Sequence, residues 1–428
     1  MNVTTAMAPQ GSALPAWRDP LAWARAADIA AALIALFLPW STSLAGICIV
    51  IWLIAVAPTI APRALLASLK QPICVLPLAL FALAVAGTLW SDAPWGARVY
   101  AILPTTKLLV LPLLFYHYQR SSRGMWVLIA FLVSCSLLMV MSWIVAFDPA
   151  LTLKATRETQ ERGIFVKNYI DQSQEFVLCA VALAYPVVTL LRAGKILPAM
   201  LLVALALSFV VNMAFVIVSR TALVTMPVLL AVFAALHLKW RSIVIIAGGT
   251  IVLAALAWMA SPQLRLTMES FATQYQSYKE QNAPSSMGMR LEFWRKSLLF
   301  FAEAPAFGHG TGSTRGLFEQ AAVGQTGAAA EIIGNPHNQT LSVAVQWGTI
   351  GIVALYAMWL AHLLLFRGEG LIAWVGLLVV VQNIFTSLFN SHIFDFHEGW
   401  MYVLGVGVAG GTLLKQGFRG AVPADFVG

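Results

Sequence analysis

Twelve long apolar stretches, joined mostly by short polar connections, run through this chain of 428 residues. They fall at about 24–40, 42–60, 73–91, 97–117, 124–147, 174–191, 196–218, 221–237, 242–260, 340–366, 371–389 and 398–415. Each approaches the ~20 mostly apolar residues that a helix needs to cross a hydrocarbon core. Lipid offers no partner to a bare peptide group, so such stretches are expected to be helical. The predicted fold class is an all-α polytopic membrane protein with about 12 transmembrane helices. Composition supports this: 60% of residues are apolar and 10% charged, against about 25% charged in a soluble domain.

Lys and Arg set the expected orientation, because short basic connections stay on the cytoplasmic side. Arg18 and Arg25, Arg63 and Lys70, Arg120 and Arg123, Arg192 and Lys195, Lys239 and Arg241, Arg367, and Lys415 and Arg419 fall in one alternate set of connections. That set, with both termini, is expected to be cytoplasmic. The other set holds two long connections, about 148–173 and 261–339. The expected organisation is nine spans within 1–260, a large outer connection with amphipathic helices at 261–339, and three spans plus a cytoplasmic tail at 340–428. Before Arg18 no basic residue or apolar run resembles a cleaved secretory signal.

The net charge is +8, but no basic run accompanies it, so nucleic acid is not an expected partner. Cys48, Cys74, Cys135 and Cys179 lie in apolar runs without C-x-x-C spacing and read as buried thiols. Within 290–303, Leu291, Trp294, Leu298 and Phe301 share a helical face, predicting an amphipathic helix on the outer membrane surface. Phe271, Tyr275 and Tyr278 repeat the pattern more weakly. The Gly308-His-Gly-Thr-Gly312 stretch reads as a helix-to-loop connection. As a phosphate cradle it lacks a preceding strand and a following Lys-Ser/Thr.

Basic residues in such a chain need either a local acid or a task. Arg295 and Lys296 have Glu292 at helical spacing, and Arg265 has Glu269, as expected for surface ion pairs; Arg157 and Glu161 are similarly spaced. Arg220 and Arg290 are different. No Asp or Glu occurs between Glu175 and Glu269, and Arg220 sits in Val218-Ser-Arg-Thr221 between two apolar stretches. Arg290 is followed by Phe293 and Trp294 at i+3 and i+4. Guanidinium groups without an acid nearby in sequence suit bidentate phosphate binding; snorkelling toward lipid headgroups is the other reading. Arg98 and Lys107 lie in the fourth stretch with no acid between Asp92 and Asp148. They mark either a second anion site or structural bonds to carbonyls of neighbouring helices.

His337 stands in Gly334-Asn-Pro-His-Asn-Gln339, where the long connection meets the tenth stretch. Pro336 restricts the local backbone, Asn338 is placed to orient an imidazole, and a near-neutral pKa suits a general base. His392, His397, Asp395 and Glu398 cluster in the last outer connection, with a spacing that matches no closed zinc pattern.

In order, Arg290-x-x-x-Trp294, Pro305-x-x-Gly308-x-Gly310-x-Gly312, Pro336-His-Asn338 and Trp347-Gly-x-Ile-Gly351 resemble the C-terminal signature of the O-antigen ligase and polymerase superfamily. Ser219-Arg220-Thr221 also resembles that family's arginine turn. The resemblance implies a GT-C-class glycosyltransferase of a bacterial inner membrane. It further implies an undecaprenyl-diphosphate-linked glycan as donor and, for the ligase branch, the lipid A core oligosaccharide as acceptor. On matching positions it implies Arg220 and Arg290 as essential arginines and His337 as the catalytic histidine, with Trp294 part of the signature. Arg98, Lys107, Glu161, Asn338 and Arg265 are added as substrate-binding candidates from charge and position. The donor carries its own leaving group and no Asp-x-Asp pair is present, so no cofactor or metal is expected. The rival readings are an O-antigen polymerase and, in another class, a lipid-linked oligosaccharide flippase.

Overall fold

Among the described residues, which are 19–153, 156 and 163–420 of a computed structural model, there are eighteen α-helices and no β-strand. The first group is α1 (Pro20–Phe37), α2 (Thr42–Val56), α3 (Pro62–Leu69), α4 (Pro72–Ala86), α5 (Trp95–Ile102), α6 (Val110–Tyr118) and α7 (Gly124–Phe147). Next come α8 (Tyr169–Ala182), α9 (Ala184–Arg192), α10 (Ile196–Phe215), α11 (Arg220–His237) and α12 (Trp240–Ala260). The large connection folds into α13 (Pro262–Gln281), α14 (Ser286–Glu303) and α15 (Thr314–Ala322), and the chain ends in α16 (Gln339–Leu365), α17 (Leu371–Thr386) and α18 (Phe396–Gly420).

Every expected apolar stretch falls on a helix, but helix length and apolarity do not reproduce the expected count of about twelve spans. Among the described residues nine helical segments are long and apolar enough to cross a membrane, and α3 with α4 forms a tenth only if a pair bent by 82° is one span. Pro72 at the start of α4 accounts for that break, since proline lacks an amide hydrogen and excludes the preceding residue from helical geometry. The 371–389 stretch becomes the shorter apolar helix α17, and α18 opens on His397 and Glu398 instead of a purely apolar run.

The fourth stretch is also interrupted. Pro104 turns Leu103–Leu109 into a 3-10 segment between α5 and α6, and the hydroxyls of Thr105 and Thr106 donate to the carbonyls of Ile102 and Leu103 at 2.7 Å each. Arg98 and Lys107 therefore do not share one straight helix.

In the bundle α1 packs on α2 and α7, α18 on α6 and α17, α16 on α4, and α8 on α10 and α11. All four cysteines are buried and free, as the sequence implied. A second core lies under the large connection, where Phe293 and Phe300 of α14 meet Phe318 of α15 and Val345 of α16. The expected apolar face of α14 was Leu291, Trp294, Leu298 and Phe301; the buried side is instead Glu292, Phe293, Lys296, Ser297 and Phe300. Leu298 is exposed. Periodicity identifies an apolar stripe but does not distinguish one facing lipid from one facing protein.

The glycine stretch proves to be a packing strap. The amides of His309, Gly310 and Thr311 donate to the carbonyls of Val345, Gln346 and Gly87, and that of Gly312 to the Gln346 side chain at 2.9 Å. None of these amides remains for a phosphate. At Gly348 (φ 61°) the helical path of α16 breaks, and a Cβ there would lie 2.4 Å from the Ala306 carbonyl oxygen. Only glycine fits such a turn pressed against another backbone.

Candidate functional site

A cavity of about 400 Å³ opens between the starts of α8, α11 and α14 and the side of α13. Tyr169, Ser219, Arg220, Ser270, Gln274, Ser286 and Arg290 are among its lining residues. The first turns of α8, α11 and α14 reach this cavity, and α13 lines it along one side from Gln263 to Gln274. Asn168, Ser261 and Ser285 cap α8, α13 and α14 with side-chain oxygens. No side-chain cap hydrogen bond closes α11, although Ser219 occupies its cap position. Backbone amides left uncapped at a helix start are suited to an anion.

Arg220 is the first residue of α11. Its guanidinium donates to Gln274 Oε1 at 3.1 Å and to Ser270 Oγ, and lies 4.7 Å from the centre of the Phe271 ring. Ser270 and Gln274 are one turn apart on α13, so a single helix face positions the arginine. Arg290, half-buried on α14, has no hydrogen-bond or ion-pair partner among the described residues. Burial holds its pKa below the usual arginine range, and the nearby Arg220 guanidinium adds to that effect. Two guanidiniums at one cavity repel each other, and a bound dianion would relieve both.

One turn along α14 from Arg290, Phe293 stacks on the His337 imidazole with ring centres 6.1 Å apart and planes at 27°. His337 adopts φ 53°, a left-handed conformation uncommon for a residue with a side chain. Its amide donates to Asn335 Oδ1 at 2.9 Å, closing the turn, and its Nδ1 lies 2.8 Å from Asn390 Oδ1. Burial lowers its pKa from the ordinary imidazole value, only partly offset by the bond to Asn390, while Arg290 lowers it further. The imidazole is therefore neutral at neutral pH and has a lone pair to accept a proton. Three residues from three separate parts of the sequence thus occupy one neighbourhood.

The remaining candidates have other surroundings. Asn338 caps α16, accepting from the Leu341 amide at 3.0 Å and donating to the Leu388 carbonyl at 3.1 Å, so the amide that meets the imidazole is Asn390 instead. Arg265 donates to the carbonyls of Trp258 and Met259 at 2.9 and 2.7 Å; these bonds close the end of α12 in place of the expected Glu269 pair. Arg98 donates to Ala93 and Thr88 carbonyls at 2.6 and 2.8 Å and stacks on Trp95. Lys107 is buried and donates to the Asp395 carbonyl. Trp294 packs against the second core. Glu161, with Arg157, lies outside the described residues. The Arg295–Glu292 pair forms as expected, at 2.5 Å, whereas Lys296 donates to the Ala329 carbonyl.

His392, Asp395 and Glu398 offer ligand atoms within 4.8 Å of one another. The geometry is that of an ion pair: His392 Nδ1 lies 3.3 Å from Asp395 and 3.7 Å from Glu398. Burial opposes the imidazolium, but the Glu398 and Asp395 carboxylates outweigh it and push the His392 pKa up to about 10. A metal at this cluster would have to displace that proton. Lys167 approaches the same region, contacting His397 Nδ1 at 3.1 Å and Glu175 at 3.9 Å. Sequence reading missed Asn390, Ser270 and Gln274. The available signals were an amide two residues before His392 and a polar i, i+4 pair on an otherwise surface helix.

These features define a polytopic helical membrane protein with a cationic cavity beside a neutral histidine. Residues 201–357, which include Arg220, Arg290 and His337, match the family described as O-antigen ligase. A protein of Haemophilus influenzae described as uncharacterized is 26% identical over 194 residues, 42% of this chain and 48% of that one. The chain spans about half the length of this curated relative.

Proposed function

We propose that the protein is an O-antigen ligase, a GT-C-type transferase moving a glycan from undecaprenyl diphosphate to a sugar hydroxyl of the lipid A core at the periplasmic face of the inner membrane. The observation that carries this reading is the convergence of Arg220 and Arg290 at one cavity with His337 alongside. The family match supports a ligase- or polymerase-type activity.

In this mechanism the donor's diphosphate lies against both guanidiniums and the uncapped start of α11. His337 takes the proton of the acceptor hydroxyl, whose oxygen forms a bond to the anomeric carbon. The bond from that carbon to the diphosphate oxygen breaks, and the leaving diphosphate keeps the electron pair. The two arginines neutralise charge that develops there, which is more effective in a partly desolvated cavity than in water. A single displacement inverts the anomeric centre. Diphosphate is already a good leaving group, so neither ATP nor a nucleotide sugar is required.

The test is ligation by purified protein supplied with lipid-linked donor and core acceptor. Wild type is expected to form the glycosidic bond, with inversion. Movement of donor across a bilayer without bond formation would favour the flippase. A deletion strain separates the polymerase: loss of a ligase leaves long lipid-linked polymer, whereas loss of a polymerase leaves single repeat units on the core.

A further inference from the structure

The connection between α17 and α18 holds a hydrogen-bonded chain that ends on His337, and each donor and acceptor in it can be assigned. The His337 backbone amide is an unambiguous donor and bonds Asn335 Oδ1 at 2.9 Å, as does the Ser391 hydroxyl at 2.7 Å. Asn335 therefore presents its Nδ2, which donates to Asn390 Oδ1 at 3.2 Å. From the other side, Asn390 Nδ2 donates to the Asp395 carboxylate at 2.6 Å. Two independent anchors, a backbone amide and a carboxylate, thus place Asn390 Oδ1 toward the imidazole.

An oxygen only accepts, so His337 Nδ1, 2.8 Å away, must carry the hydrogen. In the neutral ring the lone pair is then on Nε2, which has no partner among the described residues. Asp395 is itself held: its Oδ2 lies 3.3 Å from His392 Nδ1, and its carbonyl accepts from Lys107. The charged or titratable groups that face His337 are Arg290 from α14, and Asp395 and His392 from the connection between α17 and α18.

We infer that Asn390 is a positioning residue that fixes His337 as the Nδ1–H tautomer, leaving Nε2 to take the acceptor's proton, and that Asp395 holds the Asn390 amide in the orientation this requires. The inference rests on the reading of His337 as general base and adds the atom that does the chemistry. It also accounts for an amide at 390. A carboxylate directly on Nδ1 would favour the protonated ring; an interposed amide passes on orientation without full charge.

The test uses purified full-length protein, with kcat, KM and pH dependence of ligation measured for His337→Ala, Asn390→Ala and the double variant Asn390→Asp with Asp395→Asn. The double variant exchanges amide and carboxylate, conserving total charge and the bond between the two positions. Asn390→Ala is expected to lose at least about tenfold in kcat with KM little changed, bounded by the ~10²–10⁴ that a general base contributes. The exchange variant should still ligate, with the acid limb of its pH profile raised by about one unit, because a carboxylate now faces the imidazole. A wild-type kcat for Asn390→Ala, or a wild-type pH profile for the exchange variant, would overturn the inference. If Asn390→Ala does not survive purification, the near-isosteric exchange variant alone decides. His337→Ala separates the levels: if it ligates normally the underlying reading fails, and if it is inactive while the exchange variant's profile is unmoved, only the Asn390 role fails.

Discussion

Two regions of this protein use the same side chains to opposite ends. Toward one end of the bundle, Asp28 is buried on α1 and accepts from His117 Nε2 at 2.8 Å, Ser121 Oγ at 2.6 Å and Arg123 at 3.1 Å. Toward the other, Arg220 is held at the cavity by a neutral amide and a hydroxyl, Arg290 has no ion-pair partner among the described residues, and His337 bonds an amide instead of a carboxylate. The first region is an arginine and a histidine paired around an acid, a structural clasp between α1 and the turn ahead of α7. The second leaves the Arg290 guanidinium and the His337 lone pair without a partner among the described residues, beside a cavity. An acid bonded to Arg123 and His117, and none bonded to Arg290 or His337 among the described residues, is what separates the two, and that distinction is partly visible in sequence spacing.

The largest expected effect is at His337. Replacement with alanine should lower ligation by ~10²–10⁴, the usual contribution of a general base, while thermal stability in detergent stays near wild type. The clasp should answer oppositely. Asp28→Ala leaves His117 and Arg123 without their shared acceptor, and breaking a buried ion pair costs about 3–5 kcal/mol of stability. Its melting temperature should fall while ligation per folded molecule is kept. A stable Asp28→Ala protein that has lost ligation would erase the contrast between the two regions.

Arg290→Lys sharpens the comparison within the cavity, because it conserves charge and removes only the planar fork. Hydrogen bonds to charged groups are worth about 1.5–3 kcal/mol, so kcat/KM should fall roughly 10- to 100-fold at 1.4 kcal/mol per factor of ten. Normal kinetics would mean that a point charge suffices and that bidentate recognition is wrong. Gln274→Ala removes only a neutral partner of Arg220. A few-fold rise in KM is expected, because Ser270 and Phe271 still contact the guanidinium, and no change would mean that the other contacts of Arg220 suffice to hold it.

The sequence made the helices legible because lipid permits little else for a 20-residue apolar run. Their breaks were less so: the 82° bend ahead of Pro72 and the 3-10 segment at Pro104 follow from prolines that an apolar count absorbs without trace. Arg220 and Arg290 could be found because a missing acid is a one-dimensional observation. The carbonyl bonds of Arg98, Lys107 and Arg265 could not, since backbone acceptors supplied by distant or re-entrant chain leave no signature in residue type. Asn338 and Asn390 illustrate the same limit. Both are asparagines near His337 in space, but chain proximity favours the first and folding selects the second.

The smallest expected effect is that of removing divalent ions, and it tests the comparison at its root. At the cavity, positive charge comes from Arg220, Arg290 and the uncapped start of α11. A diphosphate placed there meets two guanidiniums without any metal. Among the described residues His392, Asp395 and Glu398 have spacing suited to a cation, and a metal there would have to displace the proton of His392, whose pKa its two carboxylate neighbours push up to about 10. Carboxylates engaged by a buried imidazolium belong with Asp28 on the paired side of the comparison. Ligation by purified protein should therefore proceed at the same rate in EDTA as in magnesium. A rate abolished by EDTA and restored by magnesium would show that the arginines do not carry the diphosphate alone, and would move the acidic cluster from the structural side to the chemical one.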